Sequence, residues 1–124
     1  MSYSGQKILL VDDDQSFREL YNAAFRLNGI NFSMAAKGTE AIEKIKVDKP
    51  DLILLDLMLP DLSGFGVLKI LKQNPKTADI KVWMITNLAE DADREQAQSL
   101  GADDYLVKAN YTPKQVIEKI KNFL

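Results

Sequence analysis

The strongest constraint in this chain is a rhythm. Four short apolar runs, Ile8-Leu9-Leu10-Val11, Leu52-Ile53-Leu54-Leu55, Val82-Trp83-Met84-Ile85 and Tyr105-Leu106-Val107, recur along 124 residues, each of strand length and without a helical repeat. Successive side chains of a strand point to opposite faces, so a run that is apolar throughout suits a strand covered on both sides. A fifth stretch, Asn31-Phe32-Ser33-Met34-Ala35, alternates polar and apolar residues and reads as a half-exposed edge strand.

The segments between these runs carry helical spacing. Phe17, Leu20, Tyr21, Ala24 and Phe25 form one stripe, with Asn28-Gly29 as its stop. Ala41, Ile42 and Ile45 mark a second helix that ends before Pro50, and Leu68 and Leu71 a third, after the turn residues Ser63-Gly64. Ala92 to Leu100 forms a fourth, closed by Gly101. In the fifth, Thr112 is the N-cap, Pro113 the first helical residue and Gln115 the capping-box partner, before the stripe Val116, Ile117, Ile120 and Leu124. Strand and helix thus alternate five times in units of ~25 residues, which predicts one α/β domain with a parallel sheet, right-handed crossovers and helices on both faces.

Composition narrows the chemistry. Sixteen basic and eighteen acidic side chains leave a net charge of −2, which is no electrostatic footprint for nucleic acid. No apolar run approaches the roughly 20 residues of a membrane span, and the polar start MSYSGQK lacks a signal-peptide pattern. There is no cysteine and no histidine, so thiolate metal sites, a Cys nucleophile and the Ser-His-Asp triad are excluded and the expected compartment is the cytoplasm. Carboxylates, lysines, hydroxyls and hard metal ions remain.

Ligands of open α/β sheets bind beyond the carboxyl ends of the strands, where the strand order reverses. The residues just past the four apolar runs are Asp12, Asp13 and Asp14, then Asp56, Thr86 and Lys108. In the doubly wound order 2-1-3-4-5 the first and third strands are neighbours, and Asp12, Asp13 and Asp56 converge. Two like charges ~4 Å apart repel by about 1 kcal/mol in water and about 4 kcal/mol at an effective dielectric of 20. A hard divalent cation relieves that repulsion, and an oxygen-only donor set suits Mg²⁺. With one lysine and one hydroxyl, such a cluster can handle a phosphoryl group, one carboxylate serving as nucleophile. Plainer roles compete: Asp14 as the N-cap of the first helix, Thr86 as a turn residue, Lys108 as solvated surface, Tyr105 as an aromatic packed on an edge strand.

From about Lys7 to Leu124 these features resemble the receiver domain of two-component response regulators, of the single-domain chemotaxis type. The resemblance rests on Ile8 to Asp14, on Leu52 to Pro60 followed by Ser63-Gly64, on Thr86 thirty residues after Asp56 (86 − 56), and on Gly101 to Lys108. It implies a flavodoxin-like (βα)5 fold of order 2-1-3-4-5, a single domain over 1–124 and no output domain after Leu124. It further implies that Asp56 is the phosphoacceptor, and that Asp13, Asp56 and the backbone carbonyl of Met58 bind Mg²⁺, with Asp12 acting largely through water. Lys108 would contact the phosphoryl oxygens and Asp56. Thr86 would move toward the phosphoryl group and Tyr105 inward behind it, changing the surface of the fourth helix, fifth strand and fifth helix. The implied partners are a histidine kinase or histidine phosphotransfer protein and a downstream protein target, with no nucleic acid and no membrane insertion. The chain would be a monomer or a phosphorylation-dependent dimer. It would not be an enzyme, catalysing only its own phosphorylation and dephosphorylation.

Two positions depart from the family pattern. Ala109 follows Lys108 where the family usually has a cis proline, so the expectation is a trans bond with a shifted loop or a strained cis bond. Asn87 follows Thr86 where a small residue is usual, which is expected to alter phosphoryl entry or loss. Met58 and Leu88 bring no group that activates water, which points to a long-lived phosphoryl state. Rival readings are a phosphatase with an Asp nucleophile, disfavoured because Met58 stands where its general acid belongs, and a flavin carrier, disfavoured by the acidic first loop. A receiver-like docking module that is never phosphorylated is the principal alternative. A P-loop enzyme is excluded by the missing glycine-lysine loop.

Overall fold

The computed structural model describes residues 6–124; most of the polar start, residues 1–5, lies outside them. The order is β1 (Lys7–Val11), α1 (Gln15–Leu27), β2 (Asn31–Ala35), α2 (Gly38–Val47), β3 (Leu52–Leu55), α3 (Gly64–Gln73), β4 (Lys81–Thr86), α4 (Asp91–Ser99), β5 (Asp104–Val107) and α5 (Pro113–Phe123), with a single 3-10 turn at Lys108–Asn110. The five strands are parallel and ordered β2-β1-β3-β4-β5, as expected.

The apolar runs become strands because both faces are covered. Ile53 and Leu55 of β3 enter one core, with Ala41, Ile45, Val67, Leu68 and Leu71 of α2 and α3. Leu52 and Leu54 enter the other, with Tyr21 and Phe25 of α1 and Val116, Ile117 and Ile120 of α5. Strand β2 alternates as its sequence does and, among the described residues, pairs only with β1. The last stripe also forms as read: the Thr112 hydroxyl accepts from the Gln115 N–H and the Gln115 side chain from the Thr112 N–H. Gly29 and Gly101 close α1 and α4 at φ 67° and 101°, a region that costs other residues a Cβ clash.

Register places the strand ends together. Val11 pairs with Leu55, Leu55 with Met84 and Thr86 with Val107, so β1 and β3 end level. The Asp56 N–H donates to the Val11 carbonyl at 3.0 Å and the Asp12 N–H to the Ala35 carbonyl at 3.0 Å, carrying the ladder one residue past the strands. Among the described residues no helix is long and apolar enough to cross a membrane.

Candidate functional site

Beyond the carboxyl end of the sheet lies an open cavity of about 550 Å³, bordered by Asp12, Asp13, Asp56, Met58, Asn87 and Lys108 among others. One carboxylate oxygen from each of Asp12, Asp13 and Asp56 falls within 4.8 Å of the other two. Asp12 and Asp56 are buried at 0% and 5% exposure, while Asp13 faces solvent. The three acids therefore line one wall from interior to mouth.

Lys108 binds both buried acids. Its Nζ donates to Asp12 Oδ2 at 2.6 Å and to Asp56 Oδ2 at 3.3 Å. The resemblance implied contact with Asp56; the nearer partner is Asp12. Burial acts against the Lys108 charge, yet its hydrogen bond to Asp12 and the charges of Asp12 and Asp56 raise its pKa above the ordinary value. Asp12 is also raised: burial outweighs the hydrogen bonds from Lys108 and the Asp14 N–H, and the charge of Asp56 adds to it. One lysine thus leaves three clustered carboxylates short of positive charge, and every donor they offer is a hard oxygen. The donor set of these residues fits a hard metal ion.

Local structure holds each acid. Asp12 Oδ1 accepts from the Asp14 N–H at 2.9 Å, and its carbonyl accepts from Arg18 Nη1 at 2.7 Å. Asp14 caps α1, accepting from the N–H groups of Ser16 and Phe17, so its plainer role is the observed one. Asp56 Oδ1 accepts from the Met58 N–H at 3.3 Å, folding the loop back over the acid. Gly64 presses on that loop; a Cβ there would lie 2.3 Å from the Asp56 carbonyl oxygen.

Thr86 and Tyr105 sit off the cavity wall. Thr86 is fully buried and its hydroxyl accepts from the Leu88 N–H at 3.3 Å. Tyr105 is turned inward at 8% exposure, its hydroxyl donating to the Leu88 carbonyl at 2.7 Å. The two therefore meet on one residue of the β4–α4 loop. Arg94 stands over the Tyr105 ring at 4.9 Å from its centroid. Burial raises the Tyr105 phenol, with Asp93 adding and Arg94 opposing. The Lys108–Ala109 peptide is trans and opens the 3-10 turn. Asn87 borders the cavity.

Two residues of the site escape a reading from strand ends. Phe17, assigned above only to a core stripe, lies 4.1 Å by its ring centroid from Lys108 Nζ. Arg18 holds the Asp12 backbone. Both occupy the first turn of α1, directly after the acidic loop, and that position was the available signal.

Comparison with known proteins agrees with this fold. Residues 8–121 match the family described as the response regulator receiver domain. The chain is 38% identical over 124 residues to a probable transcriptional regulator, ycf27, of Cyanophora paradoxa, covering 100% of this chain and 50% of that protein. It thus spans about half the length of the relatives of this kind. Chemotaxis protein CheY4 of Vibrio cholerae superimposes with a TM-score of 0.87 at 25% identity, over 96% of this chain and 98% of that one. The Mn²⁺-bound form of response regulator Rcp1 superimposes with a TM-score of 0.84 at 26% identity, over 95% and 93%. The chain belongs to the response regulator receiver domain family.

Proposed function

We propose that this receiver domain is a Mg²⁺-dependent phosphoacceptor switch, with Asp56 as the residue that takes the phosphoryl group. The observation that carries the reading is the convergence of the Asp12, Asp13 and Asp56 oxygens within 4.8 Å, with Lys108 Nζ on the two buried ones. A carboxylate oxygen of Asp56 attacks phosphorus; a P–O bond forms as the P–N bond to a donor histidine, or the P–O bond of a small acyl phosphate, breaks. The leaving group departs with the electron pair of that bond. Asp12, Asp13, Asp56 and the Met58 carbonyl would hold Mg²⁺, which supplies positive charge at the phosphoryl oxygens. The Mn²⁺-bound relative supports a divalent ion here. Lys108 neutralises a further oxygen while staying anchored to Asp12.

The product is a phosphorylated chain rather than a released compound, so the protein is a switch and not an enzyme acting on a separate substrate. Thr86 would turn its hydroxyl from Leu88 to the phosphoryl group. Because Tyr105 is bonded to the same Leu88, that movement would reset the β4–α4 loop and the surface of α4, β5 and α5. The donor is a histidine kinase or histidine phosphotransfer protein, and the reader is a downstream protein.

Intact mass after incubation with Mg²⁺ and acetyl phosphate tests this. One added phosphoryl group is expected, lost without Mg²⁺ and in Asp56→Asn. If the chain gains no mass and does not respond to beryllofluoride, the reading falls and the docking module takes its place.

A further inference from the structure

We propose that Phe17 is the positioning residue for Lys108: the face of its ring holds the ammonium at Asp12 and Asp56 and keeps it there during phosphoryl transfer. The second half of this statement rests on the phosphoacceptor reading.

An ammonium has three N–H donors, and Lys108 directs two of them at carboxylates, 2.6 Å to Asp12 and 3.3 Å to Asp56. Its side chain is only 12% exposed, although it borders the open cavity. The Phe17 ring lies under the same ammonium, with its centroid 4.1 Å from Nζ. The face of an aromatic ring is negative and attracts a cation, most strongly where water is excluded. Two carboxylates and one ring thus surround the ammonium.

The backbone does little to aim this lysine. Strand β5 ends at Val107, and a 3-10 turn begins at Lys108 itself. Ala109 has no ring to restrict its own backbone, and four flexible carbons separate Cα from Nζ. The direction of the side chain therefore comes from what it touches. Phe17, by contrast, is fixed. Its N–H donates to Asp14 Oδ1 at 3.3 Å, and its ring packs 4.6 Å from that of Tyr21, which is 2% exposed. Tyr21 in turn packs on Phe25 at 5.7 Å. Three aromatic residues at successive turns of α1 form a rigid backing for the ammonium.

The arrangement gains importance when the site is filled. A cation and a phosphoryl group would draw on the same two carboxylates that hold Lys108. The ring is a ligand for neither, so it is the partner that does not change.

The test replaces Phe17 by a series carrying one, two and three ring fluorines, installed at this position alone in the full chain. Fluorine drains the face of the ring while nearly preserving its shape. With acetyl phosphate and Mg²⁺, the rate of mass gain should fall stepwise, by about three- to tenfold at the third fluorine, and about as far in Phe17→Leu. Phe17→Tyr should restore the native rate. A flat series, with the native chain phosphorylated normally, overturns the proposal. The contact has its own readout: the Lys108 ε-methylene protons should be shifted upfield by the ring in the resting protein, and should return to ordinary values in Phe17→Leu. An ordinary shift in the native chain overturns the proposal whatever the rates do. A native chain that gains no mass instead overturns the phosphoacceptor reading, and the hold of Phe17 on Lys108 is then decided by the methylene shift alone.

Discussion

At the scale of single residues, Lys108 is the group on which the site balances. It closes two buried acids, and its removal leaves both without an ion-pair partner among the described residues. Breaking such a pair costs more than the pair contributes, because the abandoned charge stays desolvated. Lys108→Met is therefore expected to lower the stability of the metal-free protein by about 3 kcal/mol in urea titrations. Added Mg²⁺ should recover part of that loss; a variant as stable as the native chain would contradict this account. Asp61 offers a second test. It accepts from the N–H groups of Gly38 and Thr39 and from the Thr39 hydroxyl. These bonds, the Thr39 hydroxyl foremost, hold its carboxyl well below the ordinary carboxylate range. A depressed pKa in the folded state adds stability above the unfolded value, 3.8, and loses it as pH falls through the folded one. The native protein should thus exceed Asp61→Asn in thermal stability near neutral pH. That gap should narrow in strong acid; a gap that widens on acidification would exclude the assignment.

At the scale of elements, the helices differ in how far they carry their own ends. The last helix is self-contained, because Thr112 and Gln115 cap each other across three residues. Thr112→Ala should cost about 1 kcal/mol of global stability and leave Mg²⁺ binding intact. The second helix is the opposite case. Its N-cap residue, Lys37, provides no side-chain hydrogen bond, and Asp61 supplies the cap from 22 to 23 residues away. The sequence offered no cue to this, since a cap from a distant loop leaves no local pattern. Gly64 links an element directly to the site. Its own helix would accept alanine, but the added Cβ would meet the Asp56 carbonyl oxygen at 2.3 Å and Leu57 Cα at 2.8 Å. Gly64→Ala should cost about 1–3 kcal/mol and, unlike Thr112→Ala, weaken Mg²⁺ binding, because the backbone that must yield carries Asp56. Equal effects of the two substitutions on the metal would refute this link.

At the scale of the whole molecule, folding gathers acids that repel one another. The sheet order and register set Asp12 and Asp56 at the level ends of neighbouring strands, while the two cores on either face fix the strands in place. A cation that binds only the folded chain should therefore stabilise all of it. At a hundredfold excess over its dissociation constant, Mg²⁺ should add about 2.7 kcal/mol, or roughly 10 °C in Tm for a domain of this size. Chelation should reverse the shift, and Asp13→Ala should reduce it. A melting temperature indifferent to Mg²⁺ would remove the metal from the proposed chemistry.

The sequence by itself determined the alternation of strands and helices, because whether a run is apolar at every position or at every third or fourth is a local property. It also marked Asp12, Asp13, Asp56, Thr86 and Lys108, since each lies at or just past the end of an apolar run and strand ends are where such sheets expose chemistry. Their convergence was legible only once a strand order was supposed. Tertiary structure alone decided that Lys108 lies nearer Asp12 than Asp56, that Phe17 faces its ammonium, that Tyr105 and Thr86 share Leu88, and that Asp61 caps α2. Each of these is a contact between side chains, or between a side chain and backbone, on different elements or loops. Its geometry depends on register, helix rotation and loop path together, and no short stretch of sequence encodes all three.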